Sequence, residues 1–341
     1  NGAKVELLEY DNQGGPVGAA DKLRAAIADG ARIVSSASSS AVAAQLSDDI
    51  RKYNLRNPGK EIIYYNVGSE AFELTADKCH FWFFRMSTNP YVRMNALVKV
   101  MKDDGVLGQK VYSINQNYSY GQDMQAAQAA AVAKMGAKIV GSVLHDTNKI
   151  QDFSPYVAMI KTSGADTVLS GDWGNDIILL LKAAGSEGLK ARFGNTSLDT
   201  PGVLGSAGNA ALGAYLVKIY NLEAGGEKGK VFIEDFKAGI GHYPYSEEPT
   251  SAFAMGFLGA SLKTLDFKGG SIHSVKLALA LEQTTWESPI GTWSLRKEDH
   301  QALQVMYHWK MKANPPDNTD LLDLVREIPA DEMKLPIRVK R

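Results

Sequence analysis

A chain of 341 residues with 45% hydrophobic and 22% charged residues has the composition of a globular protein and room for two domains with cores of their own. A formal net charge of −1 and a pI near 6.7 give no basic excess for nucleic acid or an anionic membrane, and no apolar run approaches the roughly 20 residues of a bilayer span. The single cysteine, Cys79, excludes an internal disulfide and a multi-cysteine zinc site.

In chain order, "KVELLEY" (Lys4 to Tyr10) alternates as a strand does, and "AADKLRAAIADG" follows as a helix with Leu23, Ala26 and Ile27 on one face and Gly30 as its stop. "ARIVSS" is the next strand, followed by a helix through Ala41 to Arg51, the strand "EIIYYNVG" and the helix "NALVKVMKDDG". The alternation continues through "QKVYSINQ", an alanine-rich helix from Asp123 to Met135, "AKIVGSVLH", "FSPYVAMIKTSG", "DTVLSGD" and "NDIILLLKAAG". Beyond Gly213 come "AYLVKIYNL", helices around "VFIEDFKAG" and "SAFAMGFLGASLKTL", then "SVKLALALEQ", and the last strands "GTWSLRK" and "ALQVMYHWKMK". Strands and helices alternating with short connections predict an α/β protein of parallel sheets covered by helices, in two doubly wound, Rossmann-like lobes crossed more than once by the chain.

In open parallel sheets, ligands meet the carboxyl ends of the strands. Here those ends read "SSASSSA", "NVGSEAF", "NQNYSYGQD", "SGDWGND" and "FGNTSLD", which are small, polar or aromatic and suit binding better than catalysis. Hydroxyls and amides at a helix start, at Ser35 to Ser40, can accept an anion; Gly68 and Ser69 offer the same device, with Ser69 expected as a helix cap. Tyr118, Tyr120 and Trp173 offer flat apolar faces. No phosphate loop, HExxH, GxSxG or GxGxxG is present, and "GGPVG" (Gly14 to Gly18) lacks the third glycine. His80, His145, His242, His273, His300 and His308 show no metal-ligand spacing, so neither a metal nor a cofactor is expected and no catalytic residue is assigned. Cys79 and His80, as strand neighbours, point apart, and Cys79 is expected to be buried.

The succession "YDNQ", "SSASSSAVA", "NVGSEAFELT", "FFRMST", "NYSYGQD", "DFSPYVAMIKTSGAD", "GDWGND" and "RKEDHQ" resembles the periplasmic solute-binding proteins of branched-chain amino acid ABC importers, the Leu/Ile/Val-binding group, over nearly the whole chain. The resemblance implies the type I periplasmic binding fold: two lobes joined by three crossovers, closing on a small carboxylate ligand. By position it implies Ser38, Ser39, Gly68 and Ser69 for the carboxylate, Tyr120 and Trp173 for cover, and Ser197 where amino-acid binders carry an acid for the ligand ammonium, with Asp199 two residues on. Glu70 either pairs a ligand amine or favours its helix's first turn. Without an acid at the ligand, an aromatic carboxylate is favoured over an amino acid.

The resemblance further implies lobe 1 from 1–87 and 222–303, lobe 2 from 88–221 and 304–341, and hinges at Ser87 to Asn89, Tyr220 to Leu222 and Ala302 to Val305. It implies a strand and helix ahead of "KVELLEY", a removed export signal, and a cysteine near "DKC" able to pair with one near the C terminus; this chain ends "PIRVKR" without one, so Cys79 is expected as a thiol. The expected protein is a non-enzymatic monomer in the periplasm, or lipid-anchored outside a Gram-positive cell, that inserts into no membrane itself and serves an ABC permease. The alternative is a ligand-sensing receptor or amide-type regulator domain of the same fold.

Overall fold

The apolar runs of period two become strands and the amphipathic stretches between them become helices. The computed structural model describes residues 4–13, 15–199, 202–245, 247–266, 272–312, 314, 322–333, 337 and 339. In chain order its first elements are α1 (Pro16–Ala28), β1 (Ile33–Ser36), α2 (Ser40–Arg56), β2 (Ile63–Asn66), β3 (Phe83–Arg85), α3 (Pro90–Asp103), β4 (Lys110–Gln116) and α4 (Ser119–Lys134). Next come β5 (Lys138–His145), α5 (Ser154–Ser163), β6 (Thr167–Ser170), α6 (Asn175–Ser186), β7 (Arg192–Asn195), α7 (Val203–Ala207), β8 (Tyr215–Lys218) and α8 (Gly226–Ile240). The last are α9 (Glu248–Lys263), α10 (Ser274–Gln283), β9 (Thr285–Ser288), β10 (Gly291–Arg296), β11 (Gln301–Leu303), β12 (Met306–Met311) and β13 (Leu322–Ile328).

The described residues fall into two compact units, one drawn from Asn1–Thr88, Glu247–Gln304 and Pro336–Arg341, the other from Asn89–Ser246 and Val305–Leu335. In the first, the sheet order is β1-β2-β3-β11-β10-β9, with β1, β2, β3 and β11 parallel and the last two strands antiparallel. One registered row, Ser36, Asn66, Arg85 and Gln301, crosses the four parallel strands. Val42, Leu46 and Ile50 of α2 and Leu23 of α1 pack with Tyr64 and Phe83 of the sheet. Every residue of β2 is buried, as expected of a strand covered on both faces.

In the second unit the order is β13-β12-β8-β7-β6-β4-β5, parallel from β5 to β8, with β12 and β13 added antiparallel. Its core joins Leu97, Val98 and Met101 of α3, Met124 and Val132 of α4, and Val111, Leu169 and Val217 of the sheet. The chain is thus an α/β protein of two doubly wound, parallel-rich sheets.

Several parts of the fold depart from the sequence-based expectations. Lys4–Tyr10 forms no strand, and Val5 and Leu7 stand exposed: alternation supplies a face, but a strand also needs a neighbour exchanging backbone hydrogen bonds. "ALQVMYHWKMK" is two strands, because Gln301–Leu303 joins the first sheet and Met306–Met311 the second. Residues 222–245 group with the second unit, and the chain returns to the first at Glu247. They are tied there by Phe232, whose ring meets Tyr220, and by Glu223, which accepts from the Leu324 amide at 3.0 Å.

Candidate functional site

The first unit gathers the two serine-bearing loops at the carboxyl ends of β1 and β2. Ser39 is the N-cap of α2, with φ −59° and ψ 157°, and its hydroxyl accepts from the Val42 amide at 3.5 Å. Ser39 is exposed and Ser38 half-buried, and the first-turn amides of a helix have no intrahelical acceptor. Ser38 Oγ accepts from Asn12 Nδ2 at 2.8 Å, and Ser40 Oγ accepts from the Ala71 amide at 3.1 Å. Gly68 is required by close approach: a Cβ there would lie 2.7 Å from Ala37 Cα and 2.9 Å from Ala37 O.

Ser69 has a different role from the expected one. It caps no helix, since the short 3-10 turn that follows, Phe72–Thr75, has Ala71 at its cap. The Ser69 amide donates to Asn66 Oδ1 at 3.0 Å, and its buried hydroxyl donates to the Ser38 carbonyl at 2.5 Å. Its carbonyl accepts from Asn66 Nδ2 at 2.6 Å and Ser87 Oγ at 3.0 Å. Ser69 therefore fastens one loop to the other. Behind it, fully buried Arg85 donates to the carbonyls of Glu70 (3.0 Å) and Ala71 (2.6 Å), to Thr75 Oγ1, and to Gln301 Oε1 (2.7 Å).

The second unit gathers the aromatic residues. Trp173 Nε1 donates to Tyr118 OH at 2.8 Å, and the Tyr118 and Tyr120 rings lie 5.9 Å apart. Tyr118 occupies the N-cap position of α4; Tyr120 is buried, its hydroxyl 3.5 Å from Thr196 Oγ1. Gln116 Nε2 holds the Trp173 carbonyl at 3.2 Å and Asp176 Oδ2 at 2.7 Å. His145 Nε2 lies 3.0 Å from Asp172 Oδ2 as an ion-pair contact. Burial works against charge on His145, but Asp172, the Asp146 carbonyl and Asp176 together outweigh it and raise the imidazole above its usual 6.5; burial likewise raises the Asp172 carboxyl.

Ser197 is half-buried, with its amide donating to Asn195 Oδ1 at 2.6 Å. Asp199 is already engaged: its Oδ1 lies 3.3 Å from Lys218 Nζ, with both side chains buried. Cys79 is half-buried rather than buried, on the wall of a cavity of about 570 Å³ shared with Ala41, Ala44, Ser47, Arg51 and His80. Its thiol donates to the Asp299 carbonyl at 3.8 Å, whereas His80 Nε2 faces Ser47. These neighbours diverge from an irregular segment, not from a strand. Among the described residues, no group of three or more His, Cys, Asp or Glu is arranged to hold a metal, and no helix is long and apolar enough to cross a membrane.

Sequence reasoning passed over Asn66, Arg85 and Gln301 in the first unit and Gln116, His145, Asp172 and Asp176 in the second. Arg85 left a trace, a cation inside the apolar run "HFWFFRM"; His145 left none, because its partner lies just past the end of another strand.

A family model described as periplasmic binding protein matches residues 1–316. Over 302 residues the chain is 50% identical to Leu/Ile/Val-binding protein homolog 4 of Brucella melitensis, an alignment covering 89% of this chain and 73% of that protein. The crystal structure of the leucine-, isoleucine-, valine-, threonine-, and alanine-binding protein from Brucella ovis, closed conformation, is 46% identical and matches with a TM-score of 0.94, covering 98% of this chain and 87% of that one. A solute-binding protein from R. palustris in complex with benzoate matches at 18% identity and a TM-score of 0.81, over 96% of this chain and 86% of that one, a likeness of fold alone. The fold-level match extends to distant proteins, but half of the residues are shared with the Brucella homologue over most of both chains, and on that ground the chain belongs to the periplasmic binding protein family.

Proposed function

We propose that this chain is the extracytoplasmic solute-binding component of an ABC importer, that it acts as a monomer without transforming its ligand, and that it delivers a small carboxylate to a membrane permease. Ser38, Ser39 and Gly68 are assigned to the carboxylate, and Tyr118, Tyr120 and Trp173 to cover of the ligand. The observation that carries this reading is the N-terminus of α2, where exposed Ser39 and the first-turn amides form a neutral anion-accepting end. Glycine at position 68 and the Ser69 hydroxyl hold the neighbouring loop against it.

A branched-chain or other small aliphatic amino acid comes first among ligands, because the relatives that are 46% and 50% identical to this chain over the aligned residues carry Leu/Ile/Val names. Aromatic carboxylates come second, since the benzoate-bound neighbour is only 18% identical. A thermal-shift series with L-leucine, L-isoleucine, L-valine and benzoate tests this. A ligand at about 100 times its dissociation constant adds about 2.7 kcal/mol of stability. Indifference to every small carboxylate, with stabilisation by a neutral or cationic solute instead, sinks the reading.

A further inference from the structure

Beside Trp173 the second unit buries an ionisable cluster drawn from three strand ends and a helix. His145 closes β5, Asp172 follows β6, Asp176 lies in the first turn of α6 and Gln116 closes β4; all four are at most 2% exposed. His145 Nε2 lies 3.0 Å from Asp172 Oδ2, and Nδ1 lies 3.3 Å from the Asp146 carbonyl. Both ring nitrogens thus lie beside oxygens, and an imidazolium beside ionised Asp172, or a neutral ring beside protonated Asp172, keeps one proton between the two residues.

The second acid is tied to the same place. Asp176 Oδ2 accepts from Gln116 Nε2 at 2.7 Å and from the Asn148 amide at 2.8 Å, and Gln116 Nε2 also reaches the Trp173 carbonyl at 3.2 Å. Trp173 is therefore held at its carbonyl by Gln116, at its indole by Tyr118, and through the chain by Asp172. The ionisable groups around His145 are Asp172, Asp176 and Tyr156 of α5, whose ring packs at 5.7 Å beside Phe153 at 5.1 Å, while Asp146 contributes its backbone carbonyl. None of these neighbours is basic. Loss of the proton from the His145–Asp172 pair leaves a buried Asp172 carboxylate without a cation and within the influence of Asp176, a state that is relieved by movement.

We propose that His145, through Asp172, and Asp176, through Gln116, are positioning residues for Trp173, and that ligand affinity falls when the proton held between His145 and Asp172 is lost. The affinity half of this statement rests on Trp173 contacting the ligand, as proposed above. The direction follows from the neighbours: because Asp172, the Asp146 carbonyl and Asp176 together hold the imidazole above its usual value, the proton leaves on the alkaline side and affinity weakens as pH rises.

The test begins without any ligand. In the ¹⁵N-labelled protein, the Trp173 indole N–H resonance, assigned by its loss in Trp173→Phe, is followed from about pH 6 to about pH 9, spanning a histidine raised above its usual value. It is expected to move along one titration curve sharing its midpoint with the His145 ring, and His145→Gln is expected to abolish that curve. Asp176→Asn, which keeps the side-chain shape, is expected to move the shared midpoint toward acid, and it serves where His145→Gln does not fold. An indole signal indifferent to pH, or one that titrates unchanged in either variant, overturns the positioning role. Calorimetry with L-leucine and with benzoate at both ends of the range reads the affinity: one pKa unit of coupling weakens binding roughly tenfold. Equal affinity at both ends, with the indole titrating, overturns the affinity half. If neither compound binds, the carboxylate reading fails, while the indole titration still decides the positioning.

Discussion

The Ser69 hydroxyl donates to the Ser38 carbonyl at 2.5 Å, so the loop after β2 is bonded directly to the loop after β1. The two carboxylate-binding loops expected from the sequence are one joined structure in the first unit, with Gly68 at the point of closest approach to Ala37. Gly68→Ala would push a methyl group against the Ala37 backbone, and is expected to cost about 1–3 kcal/mol of stability. Ser69→Ala removes one hydrogen bond and is expected to cost about 1 kcal/mol. Urea denaturation checks both, and a Gly68→Ala protein as stable as its parent would refute the close approach.

Arg85 stands behind the same loops with no exposure, serving carbonyls, a hydroxyl and the Gln301 amide oxygen. Arg85→Met leaves several buried acceptors without this donor, and a loss of roughly 3 kcal/mol or more is expected. Arg85→Lys is expected to recover little, since a point ammonium cannot reproduce the planar fork. Recovery to parental stability in the lysine variant, measured by the same denaturation, would contradict the assigned geometry.

The Asp199–Lys218 pair separates two roles for one acid. Asp199→Asn removes the carboxylate 3.3 Å from a buried ammonium, and a loss of about 3 kcal/mol is expected. A ligand-facing Asp199 would instead leave the melting temperature nearly unchanged and abolish L-leucine binding. Melting temperature and calorimetry on one preparation distinguish the two.

His308 predicts acid sensitivity. It is fully buried and stacked on Tyr215 at 4.8 Å, and burial lowers its pKa to about 4 from 6.5. Between those values the unfolded chain binds the proton and the folded chain does not. The stability attached to this group is therefore complete above pH 6.5 and is lost as pH falls toward 4, by up to about 3 kcal/mol. His308→Phe is expected to flatten that limb of the stability profile. An unchanged profile in the variant would show that other groups control acid unfolding.

Trp173 and Tyr118 are predicted to act together. Trp173→Ala is expected to weaken ligand binding by about 1–3 kcal/mol through lost aromatic burial. Tyr118→Phe keeps the ring but removes the acceptor of the indole N–H, and about 1 kcal/mol is expected. Calorimetry on both single variants and the double variant should show less than additive losses; strict additivity would mean that the hydrogen bond does not couple them.

The amino-acid sequence by itself determined the α/β class, the alternation of elements and the small, polar and aromatic character of the strand ends, because residue period and turn chemistry are local properties of the chain. It also brought Ser38, Ser39, Gly68 and Ser69 into view, since each stands just after a readable strand. Tertiary structure decided how those groups are used. It turned the Ser69 hydroxyl inward onto Ser38, engaged Asp199 with Lys218, divided "ALQVMYHWKMK" between two sheets and left Lys4–Tyr10 outside both. Arg85 with Gln301 and His145 with Asp172 lie far apart in the chain and meet only through the assembled strands. Hydrogen-bond and charge partners depend on which strands become neighbours and in what register, and no local pattern along the chain records that choice.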